Sequence, residues 1–271
     1  MDFENVKLLL NFTSEETFLT DESFSNHFIS NSGLTLSTSG KFGNCANSSG
    51  AQFATIPAST DFDFGTGDFT IDFWTRIVDK TADQGFIGCY VSPPVGWAIS
   101  RWDTTGIYFT ANSAIILNGE DAGQWVNNTW YHVAIVRHGN VFRYYRDGVL
   151  KDETTYTGAI NSSGTPVTIG KYRSTAPYMG GSIDALRVVK GEALWTSAFV
   201  PPTSQPVLGL PISGTLSDGA RIVVLDENSE VETTSEKVAG AYTIYALPGT
   251  KTVVAIRSDG LGLGYQNIEL S

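Results

Sequence analysis

The sequence predicts an all-β protein, in which a two-sheet antiparallel jelly-roll sandwich is followed by a second, smaller β-sandwich. The composition supports this class, because 28 of the 271 residues are glycine and 12% are aromatic, as is typical of many short strands joined by turns. Several segments also alternate apolar and polar residues with the period of two that a strand requires. No window of about eleven or more residues keeps the apolar period of a helix. Helix is therefore expected over no more than a turn, at residues 191–195.

Five segments of the larger part have strand patterns: 69–76, 130–137, 141–146, 167–170 and 183–189. In the first, Phe69, Ile71 and Phe73 share one face, so a half-buried strand is expected. The second is apolar on both faces, as a central strand covered on both sides should be. Asp147-Gly148 predicts a hairpin turn, and the spacings together indicate a β-meander within a two-sheet sandwich.

The clearest domain boundary is rich in proline, since four of the ten prolines lie between Val200 and Pro211. This composition favours an extended, semi-rigid linker. We therefore assign 1–204 to the jelly roll, 205–211 to the linker and 212–271 to a small immunoglobulin-like or transthyretin-like sandwich. The last part has strand patterns at 221–225, 241–245 and 252–256, and turn residues at 218–219, 226–228, 248–249 and 259–260.

The charge and the apolar pattern exclude two classes of partner. The formal net charge is −11, whereas nucleic-acid-binding domains normally carry a basic surface, so nucleic acid is not an expected partner. No stretch approaches about 18 consecutive apolar residues, and membrane insertion is not expected. The acidic N-terminal segment lacks the apolar run of a signal peptide, which predicts synthesis in a reducing cytoplasm without export by the secretory route. In that compartment Cys45 and Cys89 are expected to be buried free thiols, with a single bridge as the alternative.

A family resemblance covers nearly the whole larger part. It rests on the order and spacing of several segments: 6–12, 21–23, 41–43, 62–74, 130–137, 147–148, 167–170 and 181–188. Together they resemble the laminin G-like branch of the concanavalin A-like lectin/glucanase jelly rolls. The closing segment 193–202 looks most like the version found in bacteriophage tail and other virion proteins. Residues 240–249 resemble carboxypeptidase-regulatory-like domains, which usually act as spacers or docking units.

The resemblance implies a non-enzymatic structural or adhesion protein of a phage virion, with the lectin-like domain displayed on the particle and the small sandwich docking or spacing it. Its expected partners are other virion proteins, and symmetric self-association is expected because virion components are usually multivalent. The alternative is a carbohydrate-binding module that recognises host surface polysaccharide. A glycoside hydrolase is the third hypothesis. Fold similarity alone does not decide among them.

Catalytic residues of the family are missing from the sequence. In retaining glucanases of this fold the catalytic strand has the motif Glu-x-Asp-x-Glu or Glu-x-Asp-x-x-Glu. This motif places two carboxyl groups about 5–5.5 Å apart. The nearest pair here is Asp68 and Asp72, and we interpret it as a turn aspartate and a solvent-facing strand residue. His132 is interpreted as a core or interface histidine with a satisfied partner. The sequence therefore predicts that the protein is not an enzyme.

Sugar rings stack on flat aromatic faces, and six loop aromatics are candidates by residue type. They are Tyr90, Trp97, Trp102, Trp125, Tyr172 and Tyr178, near the polar residues Arg101, Asp103 and Arg173. For each of them, ordinary packing is the competing interpretation. Trp74 and Trp130 lie in strand motifs and are expected in the core, and Trp195 is expected to seal the end of the domain.

No cofactor is expected other than a structural Ca²⁺. Asp184 shares a predicted strand face with Leu186 and Val188, so its buried charge needs a cation or several hydrogen-bond donors. The resemblance implies a calcium site in which Asp21, Ser23 and Asn26 accompany Asp184. The competing interpretation is that Asp184 pairs with an arginine or accepts hydrogen bonds at a turn.

Overall fold

The structure is a computed structural model that describes residues 3–91, 95–102, 106–119, 122–162, 164–172 and 177–206, and the backbone of five strands beyond residue 209. The chain divides into two compact units, Met1–Pro206 and Val207–Ser271. The described residues of the first unit contain three single-turn 3₁₀ helices, Phe3–Asn5, Thr60–Phe62 and Ala122–Gln124. Its strands are β1 Val6–Leu10, β2 Ser30–Ser32, β3 Thr35–Ser37, β4 Cys45–Ser49, β5 Phe53–Ile56, β6 Phe69–Ile77, β7 Gln84–Gly88, β8 Trp97–Trp102, β9 Gly106–Ala111, β10 Ala114–Asn118, β11 Trp130–His138, β12 Val141–Arg146, β13 Val149–Thr155, β14 Val167–Ile169 and β15 Gly180–Lys190.

These strands form two antiparallel sheets, as predicted. Sheet A has the order β13-β12-β11-β6-β15-β4-β3, and β1 pairs with β15 as an eighth strand. Sheet B has the order β10-β9-β8-β7-β14-β5-β2. The predicted meander corresponds to β11, β12 and β13, which are neighbours in sheet A. No helix in the described part of the chain is long and apolar enough to cross a membrane.

The core lies between the sheets and is rich in aromatic side chains. Phe69 and Phe73 point into it from β6, where Phe64 stacks on Phe69 with ring centroids 4.3 Å apart. Trp97 and Phe109 reach it from sheet B. Such inward-facing residues of two sheets make up the usual core of a β-sandwich. Cys89 is buried at its edge, unpaired as predicted, and burial raises the pKa of its thiol to about 11.

The prediction for β6 was wrong in one respect, because this strand is buried on both faces. The segment 191–206, which we call the strap, contains no helix where a turn of helix was expected at 191–195. It lies on the outer face of sheet A, where Ala193, Trp195 and Phe199 pack against the outward side chains of β11 and β12. The sequence pattern of β6 alone does not reveal this cover, since the strap is more than a hundred residues away in the chain.

The hairpin between β12 and β13 has the predicted turn. Asp147 and Gly148 both have positive φ, 51° and 73°, as the favoured two-residue hairpin turns require. A Cβ atom at Gly148 would collide with the carbonyl oxygen of Phe199, whose N–H donates to Gly148 O at 3.0 Å. Glycine is therefore needed twice here, for the turn and for the close approach of the strap.

The second unit is described by its backbone strands alone, β16 Leu210–Leu225, β17 Val231–Thr234, β18 Val238–Ala246, β19 Gly249–Arg257 and β20 Gly262–Leu270. They form one antiparallel sheet in which β16 pairs with β17, β18 and β19. The predicted turn at 218–219 lies within β16, at a shift of register between Leu216 and Ala220. Residues 207–209, 226–228 and 259–260 lie outside the described residues, and the small second sandwich stays a prediction.

Candidate ligand-binding site

Alternation along β8 and β9 places aromatic side chains on both faces of sheet B. Trp97 and Ile99 point into the core from β8, so Trp102 at the end of the same strand lies on the outer face. Phe109 points into the core from β9, and its neighbour Tyr108 therefore lies on the outer face as well. Trp102 and Tyr108 are both half-buried.

Four aromatic rings meet on this outer face, and we call Tyr90, Trp102, Tyr108 and Tyr172 the aromatic cluster. The ring of Tyr172 stacks on Tyr90 with centroids 5.6 Å apart and an angle of 26°. Trp102 contacts Tyr172 edge-on at 5.9 Å and Tyr108 edge-on at 6.3 Å. These separations are those of aromatic pairs that attract one another beyond simple burial.

Tyr172 is the buried centre of the aromatic cluster, with 6% of its surface exposed. Its hydroxyl lies 3.4 Å from the Thr110 hydroxyl, and its N–H donates to the Pro177 carbonyl at 3.0 Å. The chain around Tyr172 lies directly over Gly85, where an added Cβ would collide with the Tyr172 nitrogen. Glycine in β7 therefore lets this loop approach the sheet, where the half-buried rings of Tyr90 and Trp102 contact Tyr172 and Tyr108 contacts Trp102.

Tyr108 was absent from the predicted sugar-stacking residues, although a sequence signal for it exists. Residues 106–111 alternate apolar core residues with Tyr108 and Thr110 on the opposite face. Applying the period of two to this segment would have placed Tyr108 beside Trp102 on the next strand, because β8 and β9 pair antiparallel.

Two of the predicted sugar-stacking residues lie in the core instead. Trp97 is fully buried, and its Nε1 donates to the Phe62 carbonyl at 3.0 Å. Trp125 is fully buried too and contacts Tyr131, with centroids 4.8 Å apart. Neither indole offers a face to a ligand, because both side chains are fully buried. The residue type alone does not reveal this burial.

Tyr178 belongs to a separate contact. Its ring lies 6.1 Å from the ring of Phe53, and the Lys171 ammonium sits 4.3 Å from the Phe53 ring and 5.2 Å from the Tyr178 ring. Such a cation between two aromatic rings is a packing arrangement that stabilises the loop. Of the polar residues predicted nearby, Arg101 is fully buried, and Asp103 and Arg173 lie outside the described residues.

The carboxylate of Asp72 is buried, which corrects its interpretation as a solvent-facing residue. Asp72 accepts hydrogen bonds from Arg187 Nε at 2.9 Å and Nη2 at 3.0 Å, and His132 Nε2 lies 3.2 Å from its Oδ2. Burial alone would raise the pKa of the Asp72 carboxyl, but Arg187 and His132 together hold it below its ordinary value. Asp72 is therefore occupied by an internal ion pair.

Asp68, the other member of the predicted carboxylate pair, has different partners. Its Oδ1 accepts from the N–H of Gly139 at 2.7 Å, and its Oδ2 lies 2.9 Å from His138 Nδ1. This fixes the turn between β11 and β12, as the interpretation as a turn aspartate predicted. The two carboxylates thus serve separate structural contacts.

The outer face of sheet A carries aromatic residues that are covered by the strap. Trp195 and Phe199 stack with centroids 4.0 Å apart, and both meet the buried ring of His132 edge-on.

The prediction that Trp130 belongs to the core was wrong, because it is half-buried on this outer face, with the Arg76 guanidinium over its ring. Trp74 is buried there under Lys41 and Phe42.

The residues predicted to bind calcium make hydrogen bonds of their own. Asp21 Oδ1 accepts from the N–H groups of Leu9 and Ser23, at 3.0 and 2.9 Å, and its Oδ2 accepts from His27 N at 2.9 Å. Asn26 has a positive φ of 45°, and its N–H donates to the Ser23 carbonyl at 3.1 Å. These contacts fold the 21–27 turn onto β1.

Asp184 is fully buried on β15. Its Oδ2 accepts from Phe42 N at 3.0 Å, and its Oδ1 lies 3.4 Å from Gln205 Nε2 in the strap. Burial raises the pKa of this carboxyl, against the opposing effect of these hydrogen bonds. Among the described residues no group of three or more His, Cys, Asp or Glu is placed to hold a metal ion. Calcium binding stays a prediction.

Comparison with known proteins identifies the same architecture. Domain 4 of AbnA, an extracellular GH43 arabinanase from Geobacillus stearothermophilus solved with arabinotriose, has 17% identity and a TM-score of 0.55, and the match covers 70% of this chain and 94% of that one. The binding domain of botulinum neurotoxin serotype D has 14% identity and a TM-score of 0.57, covering 98% and 70%. The binding domain of Paraclostridial Mosquitocidal Protein 1 has 13% identity and a TM-score of 0.53, covering 98% and 73%. At these identities the likeness shows the fold alone.

No curated protein sequence showed significant similarity to the chain. The concanavalin A-like lectin/glucanases superfamily matches residues 48–196, which is more than half of the chain. This range runs from the end of β4 to the middle of the strap and includes the whole aromatic cluster. The match and the two antiparallel sheets agree, and the chain belongs to the concanavalin A-like lectin/glucanases superfamily.

Proposed function

We propose that the first unit is a carbohydrate-binding module that holds a glycan on the outer face of sheet B. The aromatic cluster carries this proposal, because it joins three half-buried rings and the buried ring of Tyr172 on a face that the strap does not cover. The apolar faces of sugar rings stack on such aromatic rings, and polar groups between them accept and donate hydrogen bonds. The buried Thr110 and Ser100 hydroxyls lie on the same face and hold the rings in place by hydrogen bonds to Tyr172 and Trp102.

The comparisons support a sugar as the ligand class. One matched structure contains arabinotriose, and the botulinum neurotoxin D ligand-binding domain has been solved with N-acetylneuraminic acid, at 12% identity and a TM-score of 0.55. Both are named as domains of larger proteins, and the second is named as a binding domain. A binding role without catalysis is also consistent with Asp72, whose carboxylate is held by Arg187 rather than free to act on a sugar.

The test begins with a glycan array, followed by calorimetric titration of the hits and of arabinotriose. Trp102→Ala and Tyr108→Ala are each expected to weaken binding about tenfold, because a lost stacking contact of about 1.4 kcal/mol corresponds to that factor. Phe28→Ala is the matched control, since this exposed aromatic lies two residues before β2 and outside the aromatic cluster. An array without hits at millimolar ligand, with calcium present, would overturn the proposal, as would Trp102→Ala binding like the wild type.

We further propose that the chain is a component of a bacteriophage particle, where it binds other virion proteins and self-associates to present several glycan sites. The support is the resemblance of 193–202 to virion proteins together with the role of this segment as the strap, which closes sheet A. Self-association would strengthen weak sugar binding by multivalency. Mass spectrometry of purified particles is expected to detect the chain, and light scattering is expected to show an oligomer. Particles that lack the chain would overturn this part alone.

A further inference from the structure

A groove of about 660 Å³ opens on the outer face of sheet A, on the opposite side of the sandwich from the aromatic cluster. It runs between the loop that follows β3 and the end of the strap. Its volume falls within the range of about 300–1,000 Å³ that is usual for small-molecule sites. The groove is lined by Lys41, Phe42, Trp74, Thr129, Trp130, Tyr131, Asp147 and the strap residues 200–203.

Flat apolar surfaces make up most of this groove. Trp74 and Trp130 come from the neighbouring strands β6 and β11, and Phe42 meets the Trp74 ring edge-on at 5.9 Å. Pro201 and Pro202 line it from the strap, where they are half-buried. Rigid rings of this kind form a surface against which the apolar side of a small ring can pack at low cost in conformational entropy.

The groove also contains the ammonium group of Lys41. Lys41 Nζ lies 3.9 Å from the centroid of the Trp74 ring, and among the described residues no carboxylate is within ion-pair distance of it. In a chain of net charge −11, an exposed ammonium in an aromatic groove is positioned to attract a negative group. The Trp74 Nε1 donor, beneath Lys41, is buried without a hydrogen-bond partner, which is uncommon for a buried donor.

Asp147 and Thr129 give the same groove groups that can bind hydroxyls. Asp147 Oδ1 accepts from the N–H of His132 at 2.9 Å, which fixes the carboxylate at the wall of the groove. A ligand that suits all of these groups has a carboxylate for Lys41, hydroxyl donors for Asp147 and an apolar ring face for Trp130 and the prolines. An inorganic anion would use the first of these features alone.

We propose that this groove is a second binding site, which takes a carboxylate-bearing sugar unit of an acidic glycan. Its residues and its ligand class are distinct from those of the aromatic cluster, so the two sites can be tested separately. Lys41 supplies the charge, Trp130 and the two prolines supply the packing surface, and Asp147 orients the sugar through its hydroxyls. Among the residues that line the groove, Lys41 is the cation that distinguishes acidic from neutral sugars.

The experiment titrates the full chain with D-glucuronate and, in parallel, with D-glucose, which differs from it in carrying a hydroxymethyl group in place of the carboxylate. Protein amide shifts in the NMR spectrum report the affinity and the position of each sugar. We expect shifts at Lys41 and Trp130 with glucuronate, and at least about tenfold weaker binding of glucose, since hydrogen bonds to charged groups are the stronger ones. Added salt is expected to weaken glucuronate binding and to leave glucose binding unchanged.

Variants assign the selectivity. Lys41→Gln is expected to bind both sugars equally weakly. Lys190→Gln makes the same change of charge and should bind like the wild type. On sheet A, Lys190 pairs with Phe69, which lies about 17 Å along β6 from Trp74 at about 3.3 Å per residue. Asp147→Asn keeps an acceptor oxygen but removes a negative charge, so it should weaken the binding of glucose more than that of glucuronate. Equal wild-type affinity for the two sugars, or unchanged selectivity in Lys41→Gln, would overturn the inference. Binding that is lost in Trp102→Ala and kept in Lys41→Gln would assign the ligand to the aromatic cluster, which overturns this inference and leaves the proposed function intact.

Discussion

The outer faces of the two sheets carry similar side chains and use them differently. On sheet A, Trp195 and Phe199 of the strap cover His132, so that aromatic rings there pack against one another within the unit. On sheet B, the rings of Trp102 and Tyr108 stay half-buried, and the described segment that lies over this face is the short loop of Tyr172. Aromatic content therefore does not by itself identify a binding face. What separates the two faces is the segment of chain that lies over each of them.

The difference extends to charged groups. Under the strap, Asp72 and Arg187 form a buried ion pair, and both are almost inaccessible to solvent. A buried pair of this kind is costly to break, because removal of one partner leaves the other charge uncompensated. On the outer face of sheet B the buried Ser100 and Thr110 hydroxyls instead form neutral hydrogen bonds to Trp102 and Tyr172. Substitutions under the strap should therefore affect mainly stability, and those in the aromatic cluster mainly binding.

The largest effect is expected for Arg187→Met. This change leaves Asp72 buried beside His132 without its bidentate partner, and we expect a loss of about 3–5 kcal/mol in the free energy of unfolding at neutral pH. Chemical denaturation measures the loss. The matched control is Arg143→Met, which removes an ion pair with the exposed Glu153 and should cost less than about 1 kcal/mol.

The same variant has a predicted pH dependence. In the wild type the lowered pKa of Asp72 contributes stability that is present above the unfolded value of about 3.9 and is lost as the pH falls through the folded value. In Arg187→Met the buried carboxyl has lost its cation, so its pKa rises and protonation relieves the penalty. The difference between variant and wild type should therefore shrink on acidification. A difference that is constant between pH 7 and pH 4 would mean that Arg187 acts by packing on Trp195 instead.

On sheet B the largest effect is expected for Gly85→Ala. The added Cβ collides with the backbone nitrogen of Tyr172, and backbone cannot move aside as the end of a flexible side chain can. We expect a loss of about 1–3 kcal/mol, as for other overpacked sites, together with weaker glycan binding because Tyr172 shifts under Tyr90 and Trp102. Gly123→Ala is the control, since a Cβ there meets no atom within 4 Å. Unchanged binding in a destabilised Gly85→Ala would separate the Tyr172 loop from the sugar site.

A smaller effect is expected for Phe199→Ala in the strap. Phe199 is half-buried and meets Trp195, His132 and Tyr145, so truncation should cost about 1–2 kcal/mol, roughly half of a fully buried Phe→Ala change. Glycan binding on sheet B should be unaffected. Val200→Ala, at a residue that is 83% exposed, is the control and should be neutral. If Phe199→Ala weakened glycan binding as strongly as Trp102→Ala does, the separation of the two faces would fail.

The sequence predicted the strands well where a local pattern determines them. The boundaries of β12 match the prediction, and the Asp147-Gly148 turn follows from positive φ at two adjacent residues. The period of two also separates the faces of β8 and β9, which is how Tyr108 could have been identified. The sequence did not predict that Trp97 and Trp125 are buried or that Asp72 faces Arg187. Burial depends on which distant segment covers a face, and β6 meets Arg187 and the strap more than a hundred residues along the chain.

The smallest effect is expected for calcium. This test asks whether hydrogen bonds from the chain alone satisfy the buried carboxylates of Asp184 and Asp21. Asp184 already accepts from Phe42 and approaches Gln205 of the strap, and Asp21 accepts three backbone N–H groups, so a Ca²⁺ ion would have to displace donors that the fold supplies. We expect neither heat on titration with Ca²⁺ nor a shift in Tm relative to EDTA. Because burial raises the pKa of Asp184, stability should instead gain from its protonation as the pH falls towards about 4, and a bound cation would reverse that trend. A rise in Tm with Ca²⁺ that Asp184→Asn abolishes, and that the exposed control Asp79→Asn keeps, would show that a metal ion closes this face together with the strap.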